Sequence, residues 1–150
     1  MSDAQVSEYE LVTLTASDYE SVRALWETAG LSIRPNGRDS ADQFARQLAG
    51  GTQTVLGART GDRLVGVVVV THDGRKGWIN RLAVHPDFRR RGIGQALISE
   101  AERVLRAQGM QIIGVLIEDW NTASLALFEK AGYTRHTDIF YLTKRDTPDV

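Results

Sequence analysis

The chain lacks cysteine, has no excess of charge of one sign and contains no long hydrophobic segment. Without cysteine, disulfide bonds and thiolate nucleophiles are excluded, and three scattered histidines do not indicate a metal site. A net charge of −1 does not suit a general nucleic-acid-binding protein, because that affinity comes largely from an excess of Lys and Arg. We therefore expect neither a metal nor a nucleic-acid partner.

Membrane segments are not expected either. The longest apolar run, Leu64 to Val70, is far too short to span a bilayer. The N-terminal residues have neither the basic region nor the apolar core of a signal peptide, so a cytoplasmic protein is the expectation. The length and composition suit one globular domain. We expect a disordered lead-in at residues 1–8, a single domain at residues 9–145 and a tail at residues 146–150.

The sequence of the first half of the domain predicts one strand, two helices and three more strands. Tyr9 to Leu14 alternates as a short strand. Ser17 to Glu20 and Ser40 to Gln43 have capping-box spacing and predict the starts of two helices, which end near Gly30 and at Gly50. Three strand segments follow and predict an antiparallel meander: Thr54 to Arg59, Leu64 to His72 and Trp78 to Val84.

The second half alternates helices and strands. Apolar residues at three- and four-residue spacing predict a long helix from Gly92 to Gly109. A buried strand is expected at Ile112 to Ile117, a helix at Asn121 to Ala131, and a final hairpin or pair of strands at Thr134 to Thr143. No internal repeat or linker suggests a second domain.

The most informative stretch joins the third strand of the meander to the long helix. It reads V-H-P-D-F-R-R-R-G-I-G-Q-A-L-I-S-E from Val84 to Glu100. A helix N-terminus leaves N–H groups unpaired and carries partial positive charge, so it can hold a phosphate, and Gly92 and Gly94 remove the side chains that would keep the phosphate away. The stretch is not a dinucleotide-binding fingerprint, because that motif needs a third glycine, and it is not a P-loop, because no G-K-[ST] is present.

Two motifs resemble those of the GNAT N-acetyltransferases. Arg89-x-x-Gly92-x-Gly94, after Leu82-Ala83-Val84, is similar to the acetyl-CoA pyrophosphate loop of that family. About 30 residues later, Asn121-x-x-Ser124-x-x-Leu127-Phe128-x-x-x-Gly132-Tyr133 is similar to the family's second conserved segment. The resemblance implies a GNAT fold of the α/β (α+β) class: a mixed, mostly antiparallel sheet, splayed between its fourth and fifth strands, with helices on both faces.

The resemblance also implies acetyl-CoA as co-substrate, without a metal. A backbone N–H near Leu82 is expected to polarise the thioester carbonyl, with pantetheine lying in the splay. Without the resemblance, Leu82 to Val84 is a plain core strand and Asn121 a helix cap. The implied acetyl-CoA-binding residues are Leu82, Ala83, Val84, Arg89, Arg90, Arg91, Gly92, Ile93, Gly94, Gln95, Asn121, Ser124 and Phe128.

The standard acid and base of the family do not match. Phe128 stands where many members have a general-acid Tyr, Leu116 where one branch has a Glu base, and Asn80 or Trp78 at another common base position. The remaining catalytic candidates are Glu118, Asn80 and the phenols of Tyr133 and Tyr141. Glu118 also suits a solvated strand-end carboxylate and Tyr133 a core residue, in which case catalysis rests mainly on positioning.

The implied activity is acetyl transfer to a primary amine of a small molecule, amino acid or peptide, by direct attack in a ternary complex. Arg34 and Arg38, in the loop between the first two helices, either bind a substrate carboxylate or face solvent. A non-catalytic acyl-CoA-binding sensor is the alternative. A more distant one is nucleic-acid binding through Arg81 and Arg89 to Arg91. The resemblance to the family also implies a homodimer formed through the C-terminal strands.

Overall fold

A computed structural model of the protein describes residues 8–150, so the expected lead-in lies outside the described residues except for Glu8. The elements, in chain order, are β1 (Glu10–Thr13), α1 (Tyr19–Thr28), α2 (Ala41–Ala49), β2 (Gln53–Thr60), β3 (Arg63–His72), β4 (Gly77–Val84), α3 (Ile93–Ala107), β5 (Ile113–Val115) and α4 (Thr122–Lys130). Short 3-10 turns precede α1 and α3. No helix of the described chain has the length and apolar character needed to cross a bilayer.

The five strands form one mixed sheet in the order β1-β2-β3-β4-β5. All neighbouring pairs are antiparallel except β4 and β5, which run parallel because α3 crosses over between them. The three long strands are the predicted meander, with Gly61 supplying the left-handed conformation in the turn between β2 and β3. The predicted mixed, mostly antiparallel sheet is confirmed.

Helices cover both faces of the sheet and bury a separate core on each. The face under α3 and α4 packs residues such as Val68, Leu97 and Phe128. The opposite face, under α1 and α2, packs residues such as Val67 and Trp26. Strand β3 contributes to both cores because successive side chains of a strand point to opposite faces. This confirms the expected layers.

A bulge interrupts β4 just where β5 leaves it. Val69 of β3 faces Asn80 and Val67 faces Ala83, so Arg81 and Leu82 together oppose the single residue Val68. Strand β5 pairs with β4 only from Gly77 to Ile79, and beyond this point the two strands separate. The predicted splay between the fourth and fifth strands is therefore confirmed.

The helix starts agree only in part with the predicted capping boxes. Ser40 caps α2 as predicted, since its side chain accepts the backbone N–H of Gln43 at 3.2 Å. The box at Ser17 to Glu20 was wrong. A 3-10 turn (Ala16–Asp18) comes first, and its capping box lies two residues earlier, at Thr15, whose backbone N–H donates to the Asp18 carboxylate at 2.8 Å.

Two predictions for the C-terminal part were also wrong. The strand expected at Ile112 to Ile117 is only three residues long and half-buried, because β5 has a neighbour on one side only, and over three residues. The final hairpin or pair of strands expected at Thr134 to Thr143 does not form, because none of the backbone groups of this segment hydrogen-bonds to another element of the described chain. As a result, the apolar side chains of Ile139 to Leu142 are 70–84% exposed.

Candidate active site

A cavity of about 1340 Å³ opens where β4 and β5 separate. Its walls come from the second half of β4, the N-terminus of α3, the residues after β5 and helix α4. It continues to the C-terminal end of α1 and the loop between α1 and α2 (residues 29–40), under Trp26. The volume exceeds the roughly 300–1,000 Å³ of a pocket for one drug-sized ligand. The cavity therefore has room for a long ligand together with a second one.

The N-terminus of α3 forms one end of this cavity. Gly92 precedes the helix with φ = 80°, a left-handed conformation that glycine adopts without steric cost, and no side chain caps the first turn. Gly94 lies close to α4, since a Cβ built on it would stand 3.3 Å from Cδ2 of Leu127. Open N–H groups and missing side chains make this helix end suited to a phosphate.

The three arginines before the helix occupy different places. Arg89 lines the cavity and donates from Nε to the Val84 carbonyl at 3.2 Å. Arg90 also lines it, in a left-handed conformation with φ = 65°. The Arg91 guanidinium lies 5.0 Å above the Phe88 ring and is not among the lining residues. Two of the three cations are thus available to an anionic ligand in the cavity.

The structure brings together nearly all residues that the resemblance implied for acetyl-CoA. The lining contains Leu82, Ala83, Val84, Arg89, Arg90, Gly92, Ile93, Gly94, Gln95, Asn121, Ser124 and Phe128. Asn121 caps α4 with its carbonyl oxygen, which accepts the N–H of Ser124 at 3.2 Å, so its NH₂ group is the part that can donate to a ligand. Both interpretations of Asn121 are therefore compatible.

The catalytic candidates do not all reach the cavity. Glu118 lines it with an exposed carboxylate, and Asn80 lines it while donating to Thr71 Oγ1 at 3.3 Å. Tyr133 is not among the lining residues, and its phenol donates to Glu102 at 2.7 Å. Burial, together with the Glu102 carboxylate, raises the pKa of Tyr133. The phenol that does line the cavity belongs to Tyr141.

Arg81 forms a contact network that the sequence analysis missed. Its guanidinium lies 3.0 Å from Asp39 Oδ2 and 4.8 Å above the Trp26 ring, and it donates to the Ser32 carbonyl at 3.3 Å. Burial lowers the pKa of Arg81, and the nearby Asp39 carboxylate acts in the opposite direction. No local signal marks this network, because Arg81 lies 42 residues after Asp39 and 49 residues after Ser32. The left-handed φ of 51° at Arg81 follows from the bulge.

The two arginines expected to bind a substrate carboxylate are in different environments. Arg38 lines the cavity with an exposed side chain. Arg34 is not among the lining residues, and its backbone N–H donates to Asp39 Oδ2 at 2.7 Å. Within the described part of the chain, no three His, Asp or Glu side chains lie close enough together to hold a metal ion.

Comparison with known proteins places this geometry in a family. The model of the acetyltransferase (GNAT) family matches residues 16–133. The chain is 35% identical over 136 residues to the acetyltransferase YE1169 of Yersinia enterocolitica, covering 91% of this chain and 94% of that protein. It is 34% identical, with the same coverage, to the acetyltransferase SG1711 of Sodalis glossinidius.

A solved structure shares the fold. The aminoglycoside acetyltransferase AAC(6')-Iy, in complex with the bisubstrate analogue CoA-S-monomethyl-acetylneamine, superposes with a TM-score of 0.79 at 18% identity, covering 93% of this chain and 99% of that one. The likeness is one of fold. With the family match over most of the domain and the two acetyltransferase relatives, it leads to the conclusion that this chain belongs to the acetyltransferase (GNAT) family and is an acetyl-CoA-dependent acyltransferase.

Proposed function

We propose that the protein transfers the acetyl group of acetyl-CoA to a primary amine of a small molecule, amino acid or peptide, by direct attack in a ternary complex. The observation that carries the proposal is the continuity of one cavity, which runs from the open N-terminus of α3, along the splay, to the loop between α1 and α2. Two substrates can meet in such a cavity without leaving it. We also propose a cytoplasmic location.

The proposed acetyl-CoA site uses the first half of this cavity. Arg89 and Arg90 and the first-turn N–H groups of α3 hold the pyrophosphate, because they combine positive charge with unpaired donors. Pantetheine lies along β4 from Leu82 to Val84, where the backbone has lost its β5 partner. The amide of Asn121 donates to the same arm from the opposite wall.

The proposed chemistry places little demand on side chains. The amine attacks the thioester carbonyl, a backbone N–H near Leu82 stabilises the oxyanion, and Glu118 accepts the amine proton directly or through water. The thiolate can leave without a general acid, because the pKa of a thiol is about 8.5. If an acid is used, Tyr141 is the candidate, since its phenol lines the cavity. Positioning in the ternary complex supplies most of the acceleration, on the order of 7–11 kcal/mol when the geometry is good.

We further propose a homodimer formed through the C-terminal segment Ile139 to Leu142. These four large apolar side chains are 70–84% exposed, and none of the segment's backbone groups hydrogen-bonds to another element of the described chain. Within the described residues, the outer edge of β5 is also unpaired, and it is flanked by Ile112, which is 57% exposed. A strand-forming segment without a partner and an open sheet edge are complementary, so a second copy can satisfy both.

The area supports this dimer. Phe140 and Tyr141 are aromatic, and an aromatic side chain buries roughly 150–250 Å². With Ile112, Ile139 and Leu142, the exposed side chains therefore offer several hundred Å² per copy. A stable interface of standard size needs about 800 Å² per partner, which the added backbone pairing brings within reach.

The first prediction concerns activity itself. Isothermal titration is expected to show binding of acetyl-CoA, and an assay of thiol release over amino acids, peptides, polyamines and aminoglycosides is expected to find turnover. Binding without thiol release for any amine would support the acyl-CoA-binding sensor instead. A protein that does not bind acetyl-CoA would contradict the proposed site.

The second prediction concerns the N-terminus of α3, which is proposed to hold the pyrophosphate. Gly94→Glu is expected to abolish measurable CoA binding, because it places a carboxylate at the helix end that should hold phosphate. Gly94→Ala is the control: its Cβ would lie 3.3 Å from the flexible end of Leu127 and 3.9 Å from Val84 Cγ2, an ordinary contact, so binding is expected to weaken much less. Circular dichroism should show the same fold for both variants. Unchanged affinity in Gly94→Glu would contradict the assignment of this loop.

The third prediction tests Glu118 as the base. Glu118→Gln is expected to lower kcat by about 10²–10⁴-fold at neutral pH, the usual contribution of a general base, with little change in CoA affinity. The difference in kcat between this variant and the unmodified protein should become smaller as pH rises, because more of the amine is then already deprotonated and needs no base. Rates equal to those of the unmodified protein across the pH series would remove Glu118 from the mechanism.

The fourth prediction concerns the homodimer. Sedimentation velocity is expected to show a dimer, and the double substitution Phe140→Asp and Leu142→Asp is expected to give a monomer, because charge would be buried in the interface. Thr147→Asp, in the exposed tail, is the matched control and should remain dimeric. A monomeric unmodified protein at all concentrations would contradict the proposal.

A further inference from the structure

Outside the segment Arg89 to Gln95, which is proposed to hold the pyrophosphate, the cavity is lined by more positive than negative side chains. Apart from the Arg89 to Gln95 loop, its charged lining residues are Arg38, Arg81, Lys130, Arg145, Asp39 and Glu118. These are four cations against two carboxylates. An acceptor that enters this region meets a surface of positive potential, which attracts anionic groups and repels additional ammonium groups.

One of the two carboxylates is already committed. Asp39 is only 8% exposed, and its Oδ2 accepts both the Arg81 guanidinium at 3.0 Å and the backbone N–H of Arg34 at 2.7 Å. The Asp39–Arg81 pair is therefore neutral as a unit, and Glu118 is left as the carboxylate of the lining that is open to a ligand, against the three other cations Arg38, Lys130 and Arg145. A single carboxylate is too little for a polycation, since every further ammonium group would lose water without gaining a partner.

Arg81 is built to present donors to a ligand. Its guanidinium has five N–H donors, and the contacts to Asp39 and the Ser32 carbonyl use only some of them. Stacking over Trp26 and the ion pair hold the group in one place at the cavity wall, so little side-chain freedom is left to lose on binding.

We propose that the acceptor carries a carboxylate in addition to its primary amine, and that Arg81 binds this carboxylate while Arg38 adds attraction from the loop. The inference rests on the proposed acetyl transfer and narrows its acceptor to amino acids or short peptides. It separates this chain from AAC(6')-Iy, whose fold it shares and whose bound analogue carries an aminoglycoside amine.

The test compares acceptors that differ only in the carboxylate. We expect kcat/KM for an amino acid to exceed that for its amide, or for the amine left by decarboxylation, by about 10–100-fold, as the loss of a charge-assisted hydrogen bond predicts. The difference should lie mainly in KM. Di- and tripeptides report whether the carboxylate of a free amino acid or that of a peptide C-terminus is bound. Titration of the amino acid and its amide into the CoA-bound protein measures the same preference without turnover.

Variants of Arg81 separate recognition from structural damage. Arg81→Gln is expected to bring the amino acid and its amide to nearly equal kcat/KM, whereas damage to the loop alone would lower both and keep their ratio. Arg81→Lys should restore part of the ratio, because it restores the charge without the planar fork. Arg103→Gln is the control, since Arg103 pairs with Glu100 on the exposed surface of α3 and should leave the ratio unchanged.

The outcomes distinguish this inference from the activity on which it rests. If acetyl-CoA binds and aminoglycosides or amides are acetylated as fast as amino acids, the carboxylate inference is overturned and the acetyl transfer stands. An unchanged ratio in Arg81→Gln would likewise overturn the role of Arg81. If no amine is acetylated and neither acid nor amide binds the CoA complex, the proposed function and the inference fail together.

Discussion

The bulge in β4 is the constraint on which the rest of the site depends. Because Arg81 and Leu82 share one partner on β3, the strand bends and β5 can follow it for only three residues. The backbone after Ile79 is then left without a neighbour on one side, at the same end of the sheet where α3 begins. A continuous β4–β5 ladder would close the cavity.

The same bulge connects the two halves of the cavity. Arg81 reaches from the strand to Trp26 of α1 and to the loop between α1 and α2, where it contacts Asp39 and the Ser32 carbonyl. A left-handed non-glycine residue costs roughly 1–2 kcal/mol. A partly buried cation–π contact contributes about 0.5–2 kcal/mol and a hydrogen bond to a charged group about 1.5–3 kcal/mol. These contacts act against the backbone strain and against the desolvation that lowers the pKa of Arg81.

In the proposed mechanism, catalysis relies on the backbone more than on a proton relay. Phe128 is 3% exposed and packs edge-on against Tyr133 with their ring centroids 5.2 Å apart, so this position contributes packing and no acid. Tyr133 in turn is tied to Glu102 on α3. Both aromatic residues therefore hold α4 against α3, and the groups left at the cavity are backbone amides, Asn80, Glu118 and Tyr141.

Elements whose signals are local could be predicted from the sequence alone. Turn glycines, the cap at Ser40 and the spacing of apolar residues located the meander and the helices, and the glycines before α3 located the cavity end suited to phosphate. Only the tertiary structure decided the partners of Arg81, the isolation of Tyr133 from the cavity and the unpaired state of residues 134–143. The physical reason is that a helix satisfies its hydrogen bonds within one segment, whereas an ion pair or a strand exists only if a distant part of some chain comes to meet it.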